Sequence, residues 1–170
     1  MAKLRRAQLK QALLERAQAA LETARAAHAA AMEGATHAEA RPENDKDTRG
    51  LEQSYLARGL AARVAELEGA LTAIALLPEL ASARSAVGAV VTATDDDDRE
   101  LRYYLAPWGG GEVLPGGVTV VTASSPIGQA LLGREVDDDV EIQRPGGVRT
   151  LTITAIACRP VVRGVRCSAA

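Results

Sequence analysis

From Ala57 the apolar residues of this chain step through Leu60, Val64, Leu67, Leu71 and Ile74, alternately three and four apart. That is the seam of a coiled coil rather than the broader face of a globular helix. A helix with so narrow an apolar stripe needs a long partner. Upstream, Leu14, Ala17, Leu21, Ala24, His28 and Ala31 repeat the spacing, and the small Ala residues let two backbones approach closely. Only a short segment separates the two arms, so the economical pairing is an intramolecular antiparallel hairpin carried by a monomer. Each arm has about thirty residues, which at about 1.5 Å per residue predicts a protruding hairpin roughly 40–45 Å long.

The 170 residues leave room for one further small domain. Up to about Leu77 the chain is dominated by Ala, Leu, Arg, Glu and Gln; beyond Val87 it turns to Val, Thr, Gly and Pro, so helix gives way to sheet. Pro78 cannot continue a helix and pushes the residue before it toward extended geometry. The expected organisation is a helical hairpin over 1–77, a linker over 78–86 and a β-rich globular domain over 87–170, an α+β chain. Strands are expected at about 87–95, 99–106, 117–123, 138–143 and 148–157, with a short helix over 126–132. Arg144-Pro145-Gly146-Gly147 reads as the turn of the last hairpin. After it Thr150, Thr152 and Thr154 alternate with Leu151, Ile153 and Ala155, one wet face against one buried face. Glu112-Val113-Leu114, between Gly109-Gly110-Gly111 and Pro115-Gly116-Gly117, reads as loop.

A formal net charge of -2 gives no reason to expect a free nucleic-acid binder, whose phosphate affinity requires a basic excess. Nucleic acid, if met at all, is presented by another protein. Cys158 and Cys167 have no His or further Cys at metal-ligand spacing, so two free thiols fit better than a zinc site, and their role is not assigned. Met1-Ala2-Lys3-Leu4-Arg5-Arg6 is followed by Gln8, Lys10, Gln11, Glu15 and Arg16 instead of a signal-peptide core, and no apolar run is long enough to span a bilayer. A cytoplasmic location is expected.

Asp95-Asp96-Asp97-Asp98 lacks the spaced ligands and mid-loop glycine of a calcium loop and reads as a solvated turn between strands; Asp137-Asp138-Asp139 reads the same way. His28 and His37 lie on the coil and at its tip, remote from every candidate nucleophile, so no self-contained active site is expected. At the hairpin tip, near 42–48, Glu43, Asp45 and Asp47 place three carboxylates at an exposed helix entry. Hard oxygen donors of that kind suit a Mg²⁺ whose remaining ligands come from water and a partner. Acidic residues also gather at helix amino termini because the dipole favours them there, and spacing does not separate the two readings.

Between Val120 and Val140 a strand ends in Ser124-Ser125-Pro126-Ile127, a short apolar helix closes on Leu132-Gly133-Arg134, and an acidic turn, Glu135 to Asp139, opens the next strand. With the heptad helix Tyr55 to Ile74 following the acidic stretch Glu43 to Asp47, this order resembles the bacterial Gre transcript-cleavage factors. The resemblance implies an FKBP-like fold for the globular domain and a factor that is not itself an enzyme. It implies bacterial RNA polymerase as partner, with Ser124, Ser125, Pro126 and Ile127 on the rim of the secondary channel. It also implies tip acids that share a Mg²⁺ with the polymerase and stimulate cleavage of backtracked RNA at the nascent 3′ end. Arg41, Lys46 and Arg49 are then placed to touch that RNA, with a solvated charged loop as the alternative. The family tip reads Asp-x-x-Glu-Asn, whereas here Glu43 falls on the first acid and Lys46-Asp47 on the Glu-Asn pair. A paralogue that occupies the channel and inhibits or retunes transcription is therefore the alternative, with an unrelated coiled-coil adaptor or chaperone behind it. Prolyl isomerase activity, the other chemistry of that fold, is opposed by the absence of Phe and the single Trp108.

Overall fold

The computed structural model describes residues 6–36, 49–78, 83–144 and 147–157. Two long helices, α1 (Arg6–Thr36) and α2 (Arg49–Ala75), precede a six-stranded sheet with one short helix. The chain divides into two compact units, Leu14–Ala73 and Met1–Leu13 with Ile74–Ala170.

In the helical unit the arms meet along the small and apolar positions read from the sequence. Ala17, Leu21 and Ala24 of α1 are buried, as are Ala57 and Leu67 of α2; Leu60, Val64 and Leu71 are half-buried. Arg25 of α1 donates to Glu68 of α2 at 2.6 Å. Leu14 is half-buried rather than sealed, and so are His28 and Ala31, so the expected seam of α1 loosens at both its ends. In the part of α1 that belongs to the other unit, Leu9 and Leu13 are the closed positions. Leu13 Cδ1 stands where a Cβ on Gly109 would meet it at 2.9 Å, and it is this contact with the sheet unit that draws Leu13 rather than Leu14 inward. Nearby, Lys10 Nζ donates to the Ala75 carbonyl at 2.8 Å and Arg6 to the Pro78 carbonyl, so cations of α1 satisfy carbonyls left open at the end of α2.

The sheet contains β1 (Val90–Asp95), β2 (Glu100–Leu105), β3 (Val113–Leu114), β4 (Val118–Val121), β5 (Asp139–Arg144) and β6 (Gly147–Ala157), with α3 (Pro126–Leu131) between β4 and β5. The strand order is β3-β4-β2-β1-β6-β5. β2 and β4 pair in parallel, Leu105 opposite Val121, while the other described pairs are antiparallel. One face carries the core: Val91, Ala93, Tyr103, Leu105, Val140, Ile142, Leu151 and Ile153, closed by Leu131 of α3.

Two expectations about the strands need correction. Val113 and Leu114, read as loop, form a short edge strand on β4, because Gly117 at φ +72° lets the chain reverse tightly enough for pairing. The alternation along β6 holds through Leu151, Thr152, Ile153 and Thr154 but fails at Ala155, which is exposed. A bulge opposite Thr92 and Ala93 inserts one residue, and an extra residue inverts the parity of everything beyond it. Pro145 and Gly146 of the expected hairpin turn lie outside the described residues, though β5 and β6 pair up to Arg144 opposite Gly147.

Asp95 is also not the solvated residue expected of the Asp run. Its carboxylate is 1% exposed and is held by Arg149, by Arg99 Nε at 3.2 Å, and by the backbone N–H groups of Asp97 and Arg99 at 3.0 and 2.8 Å. It closes the β1–β2 turn from inside, while Asp96, Asp97 and Asp98 remain exposed. Asp98 takes the left-handed conformation, φ 58°, which Asp tolerates better than most residues.

Candidate functional site

At the end of β4 the Thr122 carbonyl accepts from Ser125 N at 3.0 Å and from Ser125 Oγ at 2.7 Å, closing a tight turn. The same Oγ accepts from Gly128 N at 3.1 Å, so Ser125 is the N-cap of α3, in extended backbone at φ -74° and ψ 151°. Pro126 follows at the first helical position, where its missing N–H costs nothing and its fixed φ suits the helix. Ser124 is tied to the frame by Thr122 Oγ1 at 3.2 Å and by Gln129 Nε2, which donates to its carbonyl at 3.3 Å.

This frame has little slack. A Cβ built on Gly128 would overlap the Thr122 carbonyl, so the turn and the first coil of α3 are packed backbone to backbone. Ser124 and Pro126 are exposed, Ser125 and Ile127 half-buried, and Ile127 rests on the core cluster. The result is a rigid corner that presents a proline ring and one flank of an isoleucine to solvent.

The far end of α3 is anchored by a residue that sequence reasoning missed. Ser85, 2% exposed, donates its hydroxyl to the Leu131 carbonyl and accepts from Arg134 N at 3.0 Å. Its backbone N–H donates to the Arg134 carbonyl and its carbonyl accepts from Gly133 N, both at 2.8 Å. One serine thus satisfies several groups that a helix end leaves open. Gly133 at φ +75° makes the reversal, a signal visible in Leu132-Gly133; Ser85, 46 residues before Leu131, carries none.

The four residues Ser124 to Ile127 therefore form one capped turn. Glu43, Asp45, Asp47, Arg41 and Lys46 lie outside the described residues, and Arg49 opens α2 with its side chain outside them too. Among the described residues no group of three His, Cys, Asp or Glu side chains is placed to hold a metal ion, and no helix is long and apolar enough to cross a membrane.

Residues 84–157 match the family described as "Transcription elongation factor, GreA/GreB, C-term". Curated relatives include the transcription elongation factor GreA of Sphingopyxis alaskensis, 35% identical over 77 residues, covering 45% of this chain and 47% of that one. The GreA of Agrobacterium fabrum is 36% identical over 98 residues, 55% of this chain and 60% of that one. The chain thus spans about half the length of the curated relatives it matches. Among solved structures, the GreA factor homolog 1 (Gfh1) protein of Thermus thermophilus aligns over 85% of this chain and 94% of its own, at 24% identity and a TM-score of 0.39. Residues 84–157, with the sheet and the capped Ser-Pro turn, are similar to the C-terminal part of the GreA/GreB transcription elongation factors.

Proposed function

We propose that the chain is a transcription elongation factor that binds the secondary channel of bacterial RNA polymerase and stimulates the polymerase's own cleavage of backtracked RNA. The observation that carries this reading is the rigid Pro126–Ile127 corner, held by Ser125 and Gly128 inside the family-matching segment. An apolar corner whose conformation is already fixed binds without an ordering cost. In this reading Ser124, Ser125, Pro126 and Ile127 dock on the channel rim, and the hairpin tip brings Glu43, Asp45 and Asp47 to the polymerase active centre. Three carboxylates within five residues are the hard donors that Mg²⁺ accepts, and a metal shared with the polymerase would supply activation of the water that attacks the phosphodiester. Arg41, Lys46 and Arg49 face the RNA. The factor lends groups to another enzyme's site.

One feature favours a second reading. Lys46 stands where the family tip carries its second acid, and a cation there opposes metal binding; the chain would then occupy the channel and slow transcription. The deciding experiment is RNA cleavage in a stalled, backtracked elongation complex, with and without the factor, across a range of Mg²⁺ concentrations. Shortened transcripts appearing faster with the factor are expected. Channel occupancy without cleavage at any Mg²⁺ concentration overturns the first reading in favour of the second.

A further inference from the structure

The parallel pairing of β2 with β4 sends both strands out of the same end of the sheet. Leu105 lies opposite Val121, and the ladder continues for one more bond, from Ala106 N to the Val121 carbonyl at 2.9 Å. The two following turns, 106–111 and 122–127, therefore leave side by side, about 4.8 Å apart at their roots. They also touch. Gly111 N donates to the Val120 carbonyl at 2.9 Å, and Gly110 packs so near Thr122 that an added Cβ would stand 3.2 Å from its Cγ2.

The first turn holds an exposed Pro107 and a half-buried Trp108, beside the exposed Pro126 and half-buried Ile127 of the second. Neither Ala106-Pro107-Trp108-Gly109-Gly110-Gly111 nor Thr122-Ala123-Ser124-Ser125-Pro126-Ile127 contains a charged residue, although 25% of the chain is charged. Depletion of charge around a tryptophan is the composition of an interface centre rather than of ordinary surface. We infer that Trp108 is a second anchor of the docking surface, and that the rim it meets on RNA polymerase is an apolar patch wide enough to take both turns. The inference rests on the polymerase-docking reading given above.

The test measures polymerase affinity by competition for three proteins: the full chain, its Trp108→Ala variant, and a Pro126→Asp, Ile127→Asp double variant. Trp108→Ala is expected to weaken binding by about 10-fold or more, the effect of removing an aromatic anchor. Loss of binding in the double variant with full affinity in Trp108→Ala overturns the inference and leaves the docking reading intact. No binding by the wild-type chain overturns both. Since Trp108→Ala can also weaken binding by loosening the fold, a photo-crosslinking residue answers independently: p-benzoylphenylalanine is placed at 108 and, as control, at Asp97 on the opposite end of β2. Crosslinks to polymerase from position 108 and none from position 97 support the anchor. Equal yields from both positions, no yield from 108, or crosslinks from 108 to a second copy of the chain overturn it.

Discussion

Asp95 and Asp97 are two residues apart in one acidic run, yet one carboxylate is 1% exposed and the other 68%. What separates them is Arg149, 54 residues further on, so no local pattern marks the difference. Asp95→Ala would leave the Arg149 guanidinium, itself only 20% exposed, and two turn N–H groups without their acceptor. Removing one member of a buried pair costs about 3 kcal/mol, so urea unfolding should show a loss of that order, while Asp97→Ala should change stability by less than about 0.5 kcal/mol. Tyr104 offers a pH test. Its hydroxyl is buried, with the Arg6 guanidinium beside it. Burial raises its pKa above 10.0, and the Arg6 guanidinium beside it opposes that rise only in part. Because the folded pKa is the higher one, the folded state holds its proton more tightly than the unfolded chain. The contribution is complete below the unfolded value near pH 10 and is lost as pH climbs through the folded value. Tyr104→Phe should therefore remove part of the alkaline loss, read as unfolding free energy between pH 8 and 11.

At the scale of elements, legibility follows how local the cause is. The cap and first turn of α3 stand in sequence as Ser125-Pro126 and its stop as Leu132-Gly133, because an N-cap and a left-handed reversal are set by neighbouring residues. The strand β3 and the parity change in β6 were not legible. Two residues between glycine-rich turns become a strand only through β4, and a bulge is a property of two strands at once. The seams of the helical arms fall between these cases: the heptad spacing names the stripe, but whether Leu13 or Leu14 is sealed depends on Gly109. The two ends of α3 give a paired prediction. Ser125→Ala should cost about 1 kcal/mol as a lost cap. Ser85→Ala, which leaves the Leu131 carbonyl and Arg134 N–H only their long mutual bond of 3.4 Å, should cost about 1–3 kcal/mol. Amide exchange would separate them: the Gly128 amide should lose protection in the first variant and the Arg134 amide in the second.

For the whole molecule, the acidic stretch Glu43 to Asp47 falls between two helices in sequence, and the uncharged corner Ser124 to Ile127 falls in the sheet domain. In the proposed reading the chemistry, at Glu43 to Asp47, and the attachment, at Ser124 to Ile127, reside in different parts of the chain. That division predicts a separation of function. Changing Glu43, Asp45 and Asp47 together to Ala should abolish stimulated cleavage with less than about a threefold loss of polymerase affinity, because the docking corner is untouched and a few buried anchors carry most of the energy of an interface. The Pro126→Asp, Ile127→Asp variant should fail in both assays while far-UV circular dichroism keeps its helical signal, since neither residue belongs to α1 or α2. Lys46→Glu closes the argument from the opposite side. It exchanges a cation for the acid the family tip carries, so a tip that works by holding Mg²⁺ should cleave faster and reach half-maximal activity at lower Mg²⁺ concentration. A Lys46→Glu chain that binds as the wild type does yet cleaves no faster at any Mg²⁺ concentration would mean that Glu43, Asp45 and Asp47 do not act through a metal.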